Sequence, residues 1–221
     1  MNRLLRISLV STLALCACNP HVSGNGVLGE EQRLVPPFTG VDISLSAEAT
    51  VTANASKQTL TVSVDENLLQ YIDTPVVGGI LTTRLKGIDG IDSVHPLRIV
   101  AQAKKLDYVR ATEASNVDVK NAGDPAPGFV FEVTAAGLSN VQLQGTGGER
   151  LLVDLSGGSG LDARAYPVAG ANVMLAGGSK LQINTSGDVV GSAADNSTVE
   201  ITGAGTCAAL VLNSGATCGK P

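Results

Sequence analysis

The chain has 221 residues, 26 of them glycine, no tryptophan, 3% aromatic residues and a formal net charge of −5. A core drawn from Val, Leu, Ile and Ala, with Gly and Ser at bends, suits short strands better than packed helices. Lys104-Lys105 is the one adjacent basic pair, which excludes nucleic-acid or anionic-lipid binding through clustered phosphate contacts.

Residues 1–17 read as a secretory signal peptide. Met1-Asn2-Arg3-Leu4-Leu5-Arg6 is a basic start, and the apolar run from Ile7 to Leu15 is shorter than the roughly 20 residues that a bilayer span needs. Leu15-Cys16-Ala17-Cys18 resembles the lipobox of bacterial lipoproteins, which implies lipidation at Cys18. Cys16 fits poorly as acceptor because bulky Leu15 precedes it. The other reading is a plain signal peptide cleaved near Ala17. Asn19 after the acceptor resembles lipoproteins sorted to the outer membrane, so the expected address is the cell envelope, outer membrane, periplasmic or surface-facing. Several acyl chains at roughly 0.8 kcal/mol per buried CH₂ make a stable anchor. Removing 1–17 takes away Arg3 and Arg6 and no acid, leaving about −7. Residues 18–26, with His21, are expected as a flexible tether, and 27–221 as one domain.

The first part of that domain is irregular. Val41-Asp42-Ile43-Ser44-Leu45 and Thr59–Val64 alternate as strands do, and Asp65 reads as the N-cap of a short helix. Gly78-Gly79, between Val76-Val77 and Ile80-Leu81, predicts a hairpin feeding the first coil. His95, beside Pro96, reads as an exposed loop residue. Asn121–Gly128, with Pro125 and Pro127, predicts an inserted loop.

Beyond residue 110 a repeat emerges, anchored on Ser115, Ser139, Ser159, Ser179 and Ser197. Each anchor precedes an alternating apolar pair: Val117/Val119, Val141/Leu143, Leu161/Ala163, Leu181/Ile183 and Val199/Ile201. A sixth, degenerate copy is anchored on Thr217. The spacings are 24, 20, 20, 18 and 20 residues. Small-residue corners such as Gly157-Gly158 and Gly177-Gly178 precede the anchors, and another alternating pair precedes each corner. Alternation buries one face, and stacked coils cover one another's apolar side. The fold class is therefore all-β, a β-solenoid with coils of about 20 residues. Parity puts the anchor serines on the buried face, where they form a structural ladder. Cys207 and Cys218 pair most simply with each other, capping the C-terminal end, with two buried thiols as the alternative. The N-terminal hairpin region is expected to cap the other end.

Phe38-Thr39-Gly40-Val41, then Asp65-Glu66-Asn67-Leu68-Leu69 with Tyr71-Ile72, then Gly79-Ile80-Leu81 and the serial Gly/Ser corners together resemble the GIN-domain family, the putative auto-transporter adhesin head domain. The resemblance spans roughly 27–218. It implies a right-handed parallel β-helix in a bacterial envelope and no established activity. The corners depart from the family's Ser-Gly-Ala-Gly-Asp style at Thr112-Glu113-Ala114-Ser115, which puts a corner-borne ligand site in doubt.

Catalytic chemistry is sparsely furnished. A serine triad needs a histidine base, and only His21 and His95 exist. Asp118, Asp162 and Glu200 are expected to share an outward column with Gln142 and Gln182 between them, about 10 Å from acid to acid. That column reads as a solvated polar strip able to meet a glycan. Gly157–Asp162 matches one copy of a calcium nonapeptide, which binds only when it recurs. No catalytic residue, metal or cofactor is expected. The reading is a non-catalytic lipoprotein, an adhesion or scaffolding module with a membrane anchor and a glycan or protein partner. The alternative is a polysaccharide lyase or glycosidase on the same scaffold.

Overall fold

A computed structural model describes residues 20–124 and 126–221. The signal peptide and Cys18 lie outside the described residues. The protein is all-β with a single short 3-10 helix among the described residues, Glu66–Tyr71, and its strands stack as a parallel solenoid of about six turns.

Each coil has two strands joined by a tight corner. In coil 1 they are Gly40–Ile43 and Glu48–Thr52, and in coil 2 Tyr108–Ala111 and Asn116–Gly123. Coils 3 to 5 use Val130–Ala135, the long bent strands Asn140–Leu155 and Gly160–Leu175, and Lys180–Thr185. Coil 6 has Val189–Ala193 and Thr198–Thr202, and a short closing coil has Leu210–Leu212 and Thr217–Gly219. Strands after the corner form one face and strands before it form the other.

The register is the one that alternation predicts. Val117, Val141, Leu161, Leu181 and Val199 are successive partners in one inward column, continued by Cys218. On the pre-corner face Val41, Val109, Val133, Val153 and Val173 do the same. All ten of these apolar residues are buried. Burying a side chain of this size contributes about 1.5–3 kcal/mol, and each rests on its equivalents above and below.

The corners share one backbone device, two consecutive residues of positive φ. Gly177-Gly178 adopts 67° and 73°, at no steric penalty, while Glu113-Ala114 adopts 56° and 59° and Asp195-Asn196 adopts 55° and 59°. The departure from glycine seen in the sequence thus leaves the turn unchanged and puts side chains into a left-handed conformation. Corner amides continue the stack: Ala114 N–H donates to Gly137 O and Leu138 N–H to Gly157 O.

The N-terminal part departs from the expected order. The Val76–Val77/Ile80–Thr82 hairpin forms, with Gly78 and Gly79 both at positive φ. It does not lead into the next coil of the stack. Ile80–Thr82 lies beside Gly40–Ile43, and Arg98–Gln102 lies beside Glu48–Thr52, on the side opposite coil 2. Coil 1 is therefore sandwiched between an outer coil and coil 2, both later in sequence. Outside the outer coil, Thr59–Asp65 pairs antiparallel with Arg98–Gln102, and Leu28–Gln32 antiparallel with Thr59–Asp65.

Four local expectations are corrected. The described part of the tether is ordered: His21–Ser23 pairs with Gly90–Asp92, and His21 Nε2 lies 2.9 Å from Asp92 Oδ2. Leu45 is in the corner, with φ 67°, not in the preceding strand. Asn121–Gly123 extends the coil 2 strand, so the insertion begins after Gly123. The last anchor position is Ala216: Thr198 pairs with Thr217, which puts Ser197 opposite Ala216, one residue earlier than the spacing indicated.

Candidate functional site

The post-corner face carries outward polar side chains in register from coil to coil. Its middle outward column runs Thr50, Asp118, Gln142, Asp162, Gln182, Glu200 in register. The column beside it runs Glu48, Asn116, Asn140, Gly160, Lys180, Thr198. Several of these groups bind one another or a basic residue beside the columns. Arg164 grips Asp162 with Nε–Oδ1 at 2.9 Å and Nη2–Oδ2 at 2.6 Å. Lys180 Nζ is 2.7 Å from Glu200 Oε1, and Gln182 Nε2 donates to Glu200 Oε2 at 2.6 Å. Lys120 Nζ is 3.2 Å from Asp118 Oδ2, and Asn140 Nδ2 donates to Asn116 Oδ1 at 3.3 Å.

These contacts fix the charge state. The Arg164 hydrogen bond holds the Asp162 carboxyl below the usual range against the opposing pull of partial burial. Hydrogen bonds from Lys180 and Gln182 do the same for Glu200. Glycoside hydrolysis needs one carboxyl kept protonated by a raised pKa, and a partner about 5–9.5 Å away. In this column the two acids with resolved shifts, Asp162 and Glu200, are both lowered, and a glutamine separates each acid of the column from the next. The arrangement offers charges and amides repeated in register along the coils.

The serine anchors lie inside. Ser115, Ser139, Ser159, Ser179 and Ser197 are all buried. Ala47 N–H donates to Ser115 Oγ, Ser115 N–H to Ser139 Oγ and Ser179 N–H to Ser197 Oγ, each at 3.2 Å. Each of these hydroxyls satisfies a corner amide of the preceding coil, and Ser179 Oγ donates back to Ala176 O at 2.7 Å. The series ends in Ala47 and Ala216. Cys207 and Cys218 form a disulfide, Cα–Cα 6.3 Å, which fills the interior position of the closing coil below Val199. A loop of this length contributes about 3 kcal/mol on the chain-entropy model.

Two clusters escaped the sequence. His95 is half-buried, not an exposed loop residue, with Nδ1 2.6 Å from Oδ1 of fully buried Asp65. Asp65 makes no helix-capping bond and instead accepts from Val94 N–H at 2.8 Å and His95 N–H at 3.2 Å. Burial alone would raise its pKa, but these hydrogen bonds and the nearby imidazole outweigh it and hold the carboxyl below its ordinary value. On the bend side Phe131 packs between Phe129 and Tyr166 at centroid distances of 6.5 and 5.6 Å, with Lys105 Nζ 5.6 Å from the Phe129 ring. The Tyr166 hydroxyl is buried with no partner among the described residues, and burial pushes its pKa up. The sequence held one signal for each: an Asp and a His among apolar neighbours, and aromatics clustered in a chain with few.

The sequence profile of the family described as "Putative auto-transporter adhesin, head GIN domain" matches residues 37–205. The chain belongs to this family. Solved structures similar to this GIN domain include a "putative adhesin" from Bacteroides fragilis NCTC 9343, at 13% identity over 89% of this chain and 97% of that one, with a TM-score of 0.65. A "putative adhesin" from Parabacteroides merdae ATCC 43184 has 17% identity over 91% and 99%, TM-score 0.55. A "putative lipid binding protein" from Parabacteroides distasonis ATCC 8503 has 15% identity over 91% and 100%, TM-score 0.57. At such identities the likeness shows the GIN fold alone. No curated protein matches the chain significantly.

Proposed function

We propose that this GIN domain is a non-catalytic adhesion or scaffolding module of the cell envelope, anchored by lipid on Cys18 in the outer membrane, whose post-corner face meets a glycan or protein partner. The observation that carries the reading is the self-paired lattice of Asp162–Arg164 and Lys180–Glu200–Gln182: its charges are fixed in position, complementary in sign and turned outward along several coils. Such a lattice suits recognition through register and charge pattern rather than turnover. The family description and the relatives called putative adhesins support the same reading.

The anchor is tested by labelled-palmitate incorporation, which is expected in the wild type, lost in Cys18→Ser and sensitive to globomycin. The face is tested on a glycan array and by envelope pull-down, with Arg164→Glu and Lys180→Glu as disrupting variants. Background signal in both assays overturns the binding reading. Product release from an acidic polysaccharide, abolished by Asp162→Asn, would replace it with a lyase or glycosidase.

A further inference from the structure

We propose that the post-corner face holds an extended, uncharged glycan in the groove between its two outward columns, lying along the solenoid axis. This rests on the binding reading above and adds to it the place and the ligand class. One wall of the groove is the column from Arg98 to Asn140 and the other the column from Val100 to Gln142, with about 430 Å³ between them. The groove continues past Gly160, which adds no side chain to the wall, into a further 280 Å³ that reaches Lys180 and Gln182.

The bonds on this face decide where it is open. Arg98 Nε donates to Glu48 Oε2 at 3.0 Å and Asn140 Nδ2 to Asn116 Oδ1 at 3.3 Å, each pair within one column. Lys120 and Arg164 approach Asp118 and Asp162 from beyond the middle column, two residues further along the same strands. Among the described residues the ion pair that spans the groove is Lys180–Glu200, which closes its far end.

The groups left over select the occupant. The charged side chains along the walls are already paired, so neither an anion nor a cation finds a free counter-charge. Unpaired among the described residues are the Thr50 hydroxyl, the Gln142 amide and Asp118 Oδ1 between them in the column. A hydroxyl and a primary amide each donate and accept, as sugar hydroxyls do. Val100, 48% exposed, offers an apolar surface to a sugar's C–H face. Length separates glycan from peptide. Successive groups of a column stand about 4.8 Å apart, close to one sugar unit of an extended glycan, whereas an extended peptide advances only about 3.3 Å per residue.

Titration calorimetry of the full chain tests the proposal, with chitotetraose, cellotetraose and mannotetraose as neutral probes and tetragalacturonate as the charged one. At least one neutral probe is expected to bind, with an affinity that salt does not change. Gly160→Gln builds a side chain into the groove on an extended strand, where the neighbour to be displaced is the Asn140 amide, and should weaken binding at least about tenfold. Thr50→Val and Gln142→Leu each remove one hydrogen-bonding group and should weaken it about fivefold. Asp154→Asn, an exposed change on the pre-corner face, should leave it unchanged. Gly160→Ser serves in place of Gly160→Gln if thermal melts show the latter misfolded. Silence of all three neutral probes, tighter binding of tetragalacturonate, or groove variants that bind as the wild type does each overturn the proposal. A partner lost in Arg164→Glu and Lys180→Glu but kept in the groove variants would uphold the face and remove the groove from it, whereas background signal in every assay would sink both.

Discussion

The regular array from coil 1 to coil 6 and the N-terminal cap made of residues 20–39 and 53–107 reach stability by opposite means. In the array the residues of the inward columns sit between equivalents, as Leu181 does between Leu161 and Val199, and corner amides repeat the same bond from coil to coil. In the cap each contact occurs once: Asp65 with His95, Arg33 with the Ile72 and Leu69 carbonyls, Asn67 with Ser23. Repetition spreads a defect over neighbours, while a unique contact has no substitute. The cap is accordingly the part that should open first.

That contrast can be broken or sharpened by experiment. The largest expected effect is Leu181→Ala, which leaves a cavity between two close-packed coils and should cost about 3–4 kcal/mol in chemical denaturation. A loss below about 1 kcal/mol would show that neighbouring coils collapse to fill it. Next comes Ser139→Ala, which leaves the buried Ser115 N–H with the Thr112 carbonyl as its one remaining acceptor and should cost about 1 kcal/mol, with hydrogen exchange speeding at Ser115. Ala114→Gly should act in the other direction, stabilising by about 1 kcal/mol because it relieves a left-handed alanine. Acid gives the smallest effect near neutrality. The Asp65 carboxyl is lowered in the folded state, so its contribution is complete above the ordinary aspartate value and is lost as pH falls through the lower folded one. Protection of the Val94 and His95 amides, corrected for the intrinsic pH dependence of exchange, should therefore stay flat from about pH 7 to 5 and fall below about pH 4, ahead of the array. Simultaneous opening of both regions would erase the distinction.

Much of the array was legible because period-two alternation and a 20-residue spacing state which side chains are buried and which positions recur. The inward serines followed from parity, and the acid–glutamine column from the same register. Order of stacking was not legible. Alternation says that Ile99 and Ala101 point inward but not that their strand lies outside Ala49 and Val51 rather than between them and Val117 and Val119. Parallel neighbours are chosen by the path of the connection, and the long excursion through residues 53–107 carries no repeat to reveal it. The closing coil was misplaced by one residue because its corner comes after 19 residues, Ser197 to Ala216, where counting favoured a hydroxyl at Thr217. The Asp65–His95 pair was hidden because sequence distance conceals which loop folds over a buried carboxylate.

The sandwiching of coil 1 has a bearing on how the molecule comes together. Both strands flanking Glu48–Thr52 are made after it, so the first turn of the spiral must wait, unpartnered, for chain that follows. Closing that long excursion carries an entropic penalty before any pairing rewards it, whereas each later turn needs only the one just laid down. Growth from coil 2 onward can thus proceed like a zip, while the leading end must click shut as a single block.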